Sequence, residues 1–245
     1  MIRLLKRLTK KTFNLIGLDI VRISKSPRSS ILGLRKLPIR TIIDVGANTG
    51  QFARYISDLF PEGDILAFEP LAGPFKELQR WANQMGERVT VFNLAIGEEE
   101  GGFEIFNHEA HSPSSSFLKT TDVCETLYPF TKKQVSRKVK LSTLDKIIGS
   151  LSRPLVPDIL IKLDVQGYED RVVRGGRETF KMAKACILEV NLDKLYHKQT
   201  TFNDITFLLY ELGYRYAGNL AQAYADDGHV IYIDAVFMKS QDKLL

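Results

Sequence analysis

An α/β chain wound around a mostly parallel sheet is the fold class that three observations predict. From residue 40 onward, short apolar runs of strand length alternate with stretches of helical spacing. The first such run passes into a helix through a glycine turn, Asp44 to Gly50. Carboxylates stand where the runs end, at Glu69, Asp164 and Glu189, and that edge is where open α/β sheets bind ligands.

Taken in order, Arg40 to Gly46 reads as a buried strand and Gln51 to Phe60 as the helix after it. Asp64 to Phe68 is a second strand ending at Glu69-Pro70, with a helix around Phe75 to Met85 holding the single tryptophan, Trp81. Val89 to Leu94 supplies a third strand, and the alternation marks right-handed βαβ units. From Gly97 to Ser142 the pattern turns polar around two short strands, Phe103 to Phe106 and Val139 to Leu141. That stretch reads as an inserted hairpin with a mobile loop that contacts substrate. The alternation resumes with strand Asp158 to Leu163, a helix from Tyr168 to Met182, strand Ala185 to Val190 and helix Thr201 to Leu212. Tyr214 to Ala217 and Val230 to Met238 close the chain as a terminal, antiparallel pair of strands.

The chain has 245 residues, 44% of them hydrophobic, enough for one substantial core. We therefore divide it into a basic extension over residues 1–39, expected to be helical, and one domain over 40–245. The net charge of +5 hides an asymmetry: residues 1–40 hold 11 Lys and Arg against one Asp, and the rest of the chain is net acidic. Leu4, Leu5, Leu8, Leu15 and Ile16 lie among those basic residues in the manner of an amphipathic helix. Self-association or packing on its own domain, docking on a membrane surface, and nucleic-acid contact are the roles open to it, with nucleic acid ranked last. No apolar run reaches the roughly 18 residues of a spanning helix, and the extension lacks the core of a secretory signal. Cys124 and Cys186 have no disulfide or zinc spacing, so a reducing cytoplasm, with peripheral membrane contact open, is the expected location.

The turn Asp44-Val45-Gly46-Ala47-Asn48-Thr49-Gly50 lies where a doubly wound sheet receives a nucleotide. Gly46 and Gly50 are expected to let a ligand approach the main chain, and the helix-start N–H groups to face its carboxylate. A dinucleotide motif would need glycines at 46, 48 and 51, where this chain has Gly46, Asn48 and Gln51; the Gly-Lys-Ser/Thr of a P-loop is missing as well. Asp44 repels a diphosphate but suits an ammonium group, such as that of a methionine moiety. Glu69, at the end of strand two, is placed to accept hydrogen bonds from two ribose hydroxyls, and Asn93 and Ala95 to flank an adenine.

Strand four ends in Lys162-Leu163-Asp164-Val165-Gln166-Gly167-Tyr168-Glu169, and alternation puts Lys162 and Asp164 on one face. Glu189 and Asn191 end what should be the neighbouring strand. Asp164 or Glu189 could take a proton from a hydroxyl while Lys162 stabilises negative charge. Asp164, Glu189 and Asn191 also offer hard oxygen ligands, so Mg²⁺ is a candidate cofactor. The four histidines show no zinc-like spacing, and His111 with Ser114, Ser115 and Ser116 reads as a loop that closes over ligand.

These blocks, together with Phe68-Glu69-Pro70, Asn93-Leu94-Ala95-Ile96-Gly97 and Ser142-Thr143-Leu144-Asp145, resemble the FkbM family of S-adenosylmethionine-dependent methyltransferases over roughly Thr41 to Tyr216. The resemblance implies a Rossmann-like class I methyltransferase fold, a seven-stranded sheet in the order 3-2-1-4-5-7-6 with helices on both faces. It implies S-adenosylmethionine contacts from Asp44, Gly46, Ala47, Asn48, Gly50, Glu69, Pro70, Asn93 and Ala95. Asp164, Lys162 and Glu189 then face a small-molecule, glycan or polyketide-like acceptor whose hydroxyl is methylated. The family often carries glutamate where this chain has Gln166; an amide cannot serve as a base, which leaves that role to Asp164, Glu169 or Glu189. A nucleic-acid methyltransferase and a non-catalytic binding protein of the same fold are the competing readings.

Overall fold

The computed structural model describes residues 9–18, 20, 26–27, 31–99, 103–109 as backbone, and 112–239. The first eight residues of the expected amphipathic helix and His111 lie outside this set. Residues 9–14 are helical, and Leu15 and Ile16 after them are 86% and 70% exposed, so this stretch does not bury its apolar side chains on the domain.

A seven-stranded sheet organises the chain. It comprises β1 (Thr41–Val45), β2 (Asp64–Phe68), β3 (Val89–Phe92), β7 (Ile159–Leu163), β8 (Ala183–Asn191), β9 (Tyr214–Tyr224) and β10 (Val230–Lys239), ordered β3-β2-β1-β7-β8-β10-β9. Counted among themselves these strands run 3-2-1-4-5-7-6. The sheet is mixed, because β10 is antiparallel to both β8 and β9.

Helices α1 (Gln51–Leu59) and α2 (Ala72–Met85) follow β1 and β2. Ile42, Ile65, Leu160, Ala185 and Val236 pack beneath them with Ile56, Leu78 and Trp81. Ile31 and Leu34, from a 3₁₀ segment at Ile31–Lys36, join the same cluster. The opposite face buries Ile43, Val45, Leu163 and Leu188 against Val172, Phe180 and Leu209. Those three come from α5 (Glu169–Arg174), α6 (Arg177–Met182) and α7 (Phe202–Glu211). Strand alternation makes the division: Ile43 and Val45 face one layer, Ile42 and Asp44 the other. Asp44 is thereby a buried acid on the α1 side.

Three expectations change. The single helix expected over Tyr168 to Met182 breaks at Gly175-Gly176, where a Cβ on Gly175 would lie 1.9 Å from the Gly97 carbonyl oxygen; backbone crosses backbone there. The expected hairpin is longer, with β5 (Phe103–Glu109) antiparallel to β6 (Gln134–Ser142) and β4 (Ala95–Ile96) on the other edge of β6. Its connection carries α3 (Asp122–Leu127), capped by Thr121, whose hydroxyl also donates to the Lys194 carbonyl. Ser115 and Ser116 are buried, not displayed on a free loop. A short helix, α4 (Leu144–Gly149), escaped the periodicity because one and a half turns give it too little to repeat.

Candidate active site

The carboxyl edge of the sheet opens into a cavity of about 470 Å³, within the range of small-molecule sites. Asp44, Gly46, Ala47, Asn48, Glu69, Pro70, Ala95, Lys162, Asp164 and Glu189 all line it. Two expected contacts do not. Asn93 instead donates through Nδ2 to the carbonyls of Glu69 and Pro70, at 2.9 and 3.0 Å, and fixes the end of β2. Gly50 caps α1 at φ 89°, and a Cβ there would meet Leu78 at 2.9 Å, so its bareness serves helix packing.

Gly46 is also bare for an internal reason. At φ 83°, its Cβ would lie 2.0 Å from the Asp164 carbonyl oxygen, and the absence of a side chain lets the end of β7 pass against the turn. The N–H groups of residues 46–50 are engaged within the turn, whereas Gln51 and Phe52, at the helix start whose N–H groups were expected to face a ligand, lie on the cavity wall. Gly46 and Ala47 donate to the Phe68 carbonyl, Asn48 to Glu69 Oε2 at 2.9 Å, Thr49 to Asn48 Oδ1 at 2.8 Å and Gly50 to the Ala47 carbonyl. The turn shapes the cavity wall and offers side chains, not free amides.

Glu69 is 4% exposed. Its Oε1 accepts from the Leu71 N–H at 2.7 Å and its Oε2 from that of Asn48, so each oxygen keeps a lone pair for a further donor. Burial pushes its carboxyl up to about 7, against the pull of those two N–H groups. Asp44 is 1% exposed, and burial raises it to about 7 too, with Lys162 and the Ala53 N–H opposing and Asp164 adding to the rise. Its Oδ2 is buried without a hydrogen-bond partner, an uncommon state for a carboxylate. Leu71, Leu94, Ile96 and Phe117 give the neighbouring part of the cavity an apolar slot.

Sheet register sets out the polar floor. Asp44 lies beside Lys162 on β7, and Glu189 on β8 beside Asp234 on β10. Lys162 Nζ sits 3.4 Å from Asp164 Oδ2 and 3.7 Å from Asp234 Oδ1, and donates to the Leu163 carbonyl at 3.1 Å. Burial alone would lower this ammonium, but Asp164, Asp234, Glu189 and Asp44 outweigh it and hold it above the ordinary lysine value. Burial and Asp164 keep Glu189 well above the usual carboxylate range, with Lys162 opposing.

Gln166 ties this floor together from a left-handed backbone, φ 55°. Its Nε2 donates to Asp164 Oδ1 at 2.8 Å and to Glu189 Oε1, and its Oε1 accepts from the Tyr196 hydroxyl at 2.9 Å. That hydroxyl also lies 2.9 Å from the Ser114 carbonyl, while Ser116 Oγ donates to the Gln166 carbonyl at 2.8 Å. Glu169 is removed from the candidate bases: it is 1% exposed, does not line the cavity, and accepts from the N–H groups of Val165 and Gly167. The oxygen set suggested for Mg²⁺ is not assembled either. Among the described residues no three His, Cys, Asp or Glu side chains group to hold a metal, and Asn191 is absent from the lining.

Asp234 is the functional residue that sequence reasoning passed over. Its signal was present: one acid in the apolar run Val230 to Met238. Tyr196 and Ile31, which also reach the site, carried no local mark.

The chain is 26% identical over 186 residues to the 2-O-methyltransferase NoeI of Sinorhizobium fredii, a match covering 73% of this chain and 74% of that one. It is also 26% identical over 149 residues to Methyltransferase 1 of Beauveria bassiana, covering 55% and 57% of the two chains. Among solved structures, Methyltransferase FkbM from Methylobacillus flagellatus superposes at a TM-score of 0.50 with 15% identity, covering 82% of this chain and 44% of that one, a likeness of fold. The family model described as the Methyltransferase FkbM domain matches residues 44–216, more than two thirds of the chain and nearly all of the site just described, and on that match the protein belongs to the FkbM methyltransferase family.

Proposed function

We propose that the protein is an S-adenosylmethionine-dependent O-methyltransferase acting on a hydroxyl of a small-molecule, sugar or polyketide-like acceptor. The observation that carries this reading is Glu69, a buried carboxylate on the cavity wall with a lone pair to spare on each oxygen. The printed name of the NoeI relative, a 2-O-methyltransferase, supports oxygen as the atom methylated.

The residues fit the cofactor. Glu69 holds the two ribose hydroxyls, the orphaned Oδ2 of Asp44 receives the amino group, and the slot of Leu71, Leu94, Ile96 and Phe117 takes the adenine. When bound, S-adenosylmethionine supplies an electrophilic methyl group, which leaves sulfur as a C–O bond forms to the acceptor, giving S-adenosylhomocysteine. The acceptor's proton passes to Asp164 or Glu189; burial makes Glu189 more basic than an ordinary carboxylate. Lys162, braced by Asp164 and Asp234, steadies charge on the acceptor oxygen while its proton departs. Positioning and exclusion of water do the remainder.

Calorimetry with S-adenosylmethionine and S-adenosylhomocysteine tests the reading. Binding of both is expected, and Glu69→Ala should weaken it by about 1.5–3 kcal/mol, the worth of a hydrogen bond to a charged group. Wild-type protein that binds neither compound would remove the proposal.

A further inference from the structure

Every ionisable side chain on the cavity wall, apart from Tyr55, belongs to the set Asp44, Glu69, Asp164, Glu189, Asp234 and Lys162, among the described residues. Five are acids. The single cation is 5% exposed and already engaged, with carboxylates at 3.4 and 3.7 Å and a backbone carbonyl at 3.1 Å. No arginine or histidine among the described lining residues waits for a phosphate, sulfate or carboxylate.

The acidic floor is not a structural convenience. Like charges on directly opposed strand positions are destabilising, and Glu189 and Asp234 are such a pair. Asp44, whose Oδ2 is given to the cofactor's amino group, continues this row of acids along the same sheet face. Beside the strand of Asp234 the wall is apolar, with Ile187 on β8, Leu220 on β9 and Ile31 from the 3₁₀ segment that contacts β9, and Phe52 of α1 also lines the cavity.

We infer that the acceptor end of the cavity takes an uncharged or cationic hydroxyl compound with an apolar arm and rejects anionic acceptors, with Asp234 as the residue that enforces the choice. The inference rests on the methyltransferase reading above and narrows its substrate class. An acceptor hydroxyl donates to the carboxylates, which an anionic group cannot do, and the arm lies along Ile31, Phe52 and Leu220. Asp234 is the lining acid assigned neither to the cofactor nor to the acceptor's proton: it stands opposite Glu189 across β8 and β10 and lies 3.7 Å from Lys162 Nζ.

A matched pair of probes tests this. Octyl β-D-glucopyranoside and octyl β-D-glucopyranosiduronic acid differ in one charge, and each is titrated, below its micellar concentration at pH 8, into protein saturated with S-adenosylhomocysteine. The glucoside should bind and the uronic acid should bind at least 30-fold more weakly. Asp234→Asn, nearly isosteric, should shrink that gap to below 5-fold. Equal binding of the pair, preference for the acid, or binding of neither by the loaded protein would overturn the inference and leave the cofactor reading standing. An unchanged gap in a folded Asp234→Asn would overturn the role of Asp234; if that variant does not fold, the wild-type pair decides the charge selection. Failure of S-adenosylhomocysteine itself to bind would bring down the underlying reading, and this inference with it.

Discussion

A carboxyl group lifted to about 7 by burial titrates where enzymes are assayed, and Glu69 is such a group. Only its ionised form offers acceptors to both ribose hydroxyls without first losing a proton. Cofactor affinity should therefore fall as pH drops from 8 to 6, by up to roughly tenfold per unit below the titration point. Calorimetry at stepped pH measures this; Asp44, also lifted to about 7 and assigned the amino group, contributes to the same fall, so Glu69→Gln should make the profile shallower without levelling it. Asp164→Asn should cut turnover by about 10²–10⁴, the range for loss of a general base or its orienting partner. Cofactor affinity should move far less, so kcat and Kd measured together separate the roles; a variant with full turnover would clear Asp164. At this scale the residues marked in the sequence mostly line the cavity, but often for reasons other than those the spacing suggested. Spacing alone picked out Gly46 and Gly50, yet the atoms that need the room belong to Asp164 and Leu78, contacts across 28 residues or more that no local pattern encodes. Gln166 was legible as an amide that cannot be a base, but not as the donor joining two carboxylates, since that depends on β7 and β8 lying side by side.

Elements followed periodicity where they were long and failed it where they were short or interrupted. The strand–turn–helix units at β1 and β2 matched their patterns because each strand is mostly apolar and each helix exceeds two turns. The region from Tyr168 to Met182 keeps helical spacing through Gly175-Gly176, so the break was invisible until Gly97 was seen passing against it. Gly175→Ala should accordingly cost about 2–3 kcal/mol, as overpacking against a rigid partner does, because the obstacle is a carbonyl group and not the end of a flexible chain. Denaturant unfolding measures the loss; a change below 0.5 kcal/mol, on the order of an ordinary surface substitution, would mean that the crossing relaxes freely.

The whole molecule is a sheet with an apolar layer on either side, and the N-terminal part of the chain joins it abruptly. Leu15 and Ile16 are exposed, whereas Ile31 and Leu34 are 1% and 0% exposed within the α1-side core. Removing residues 1–30 gives the reference unfolding midpoint. Extending the deletion through Lys36 should lower it by roughly 8 °C or more, from two buried side chains at about 1.5–3 kcal/mol each. Differential scanning calorimetry of the two truncations distinguishes a decorative leader from one that shares the core. Charge composition put the boundary after residue 39, yet Ile31, Leu34 and Ile39 already belong to the core and Ile31 lines the cavity, its segment contacting the far strand β9. No helix among the described residues is long and apolar enough to cross a membrane. The hydrogen bonds from Ser116 and Tyr196 to Gln166 have a consequence for turnover. The segment at 112–118 cannot lift away without loosening the tether that spaces Asp164 from Glu189. If Asp164 or Glu189 takes the acceptor's proton as proposed, release of products and resetting of that group are geared to one another, and a substitution that speeds the first should disturb the second.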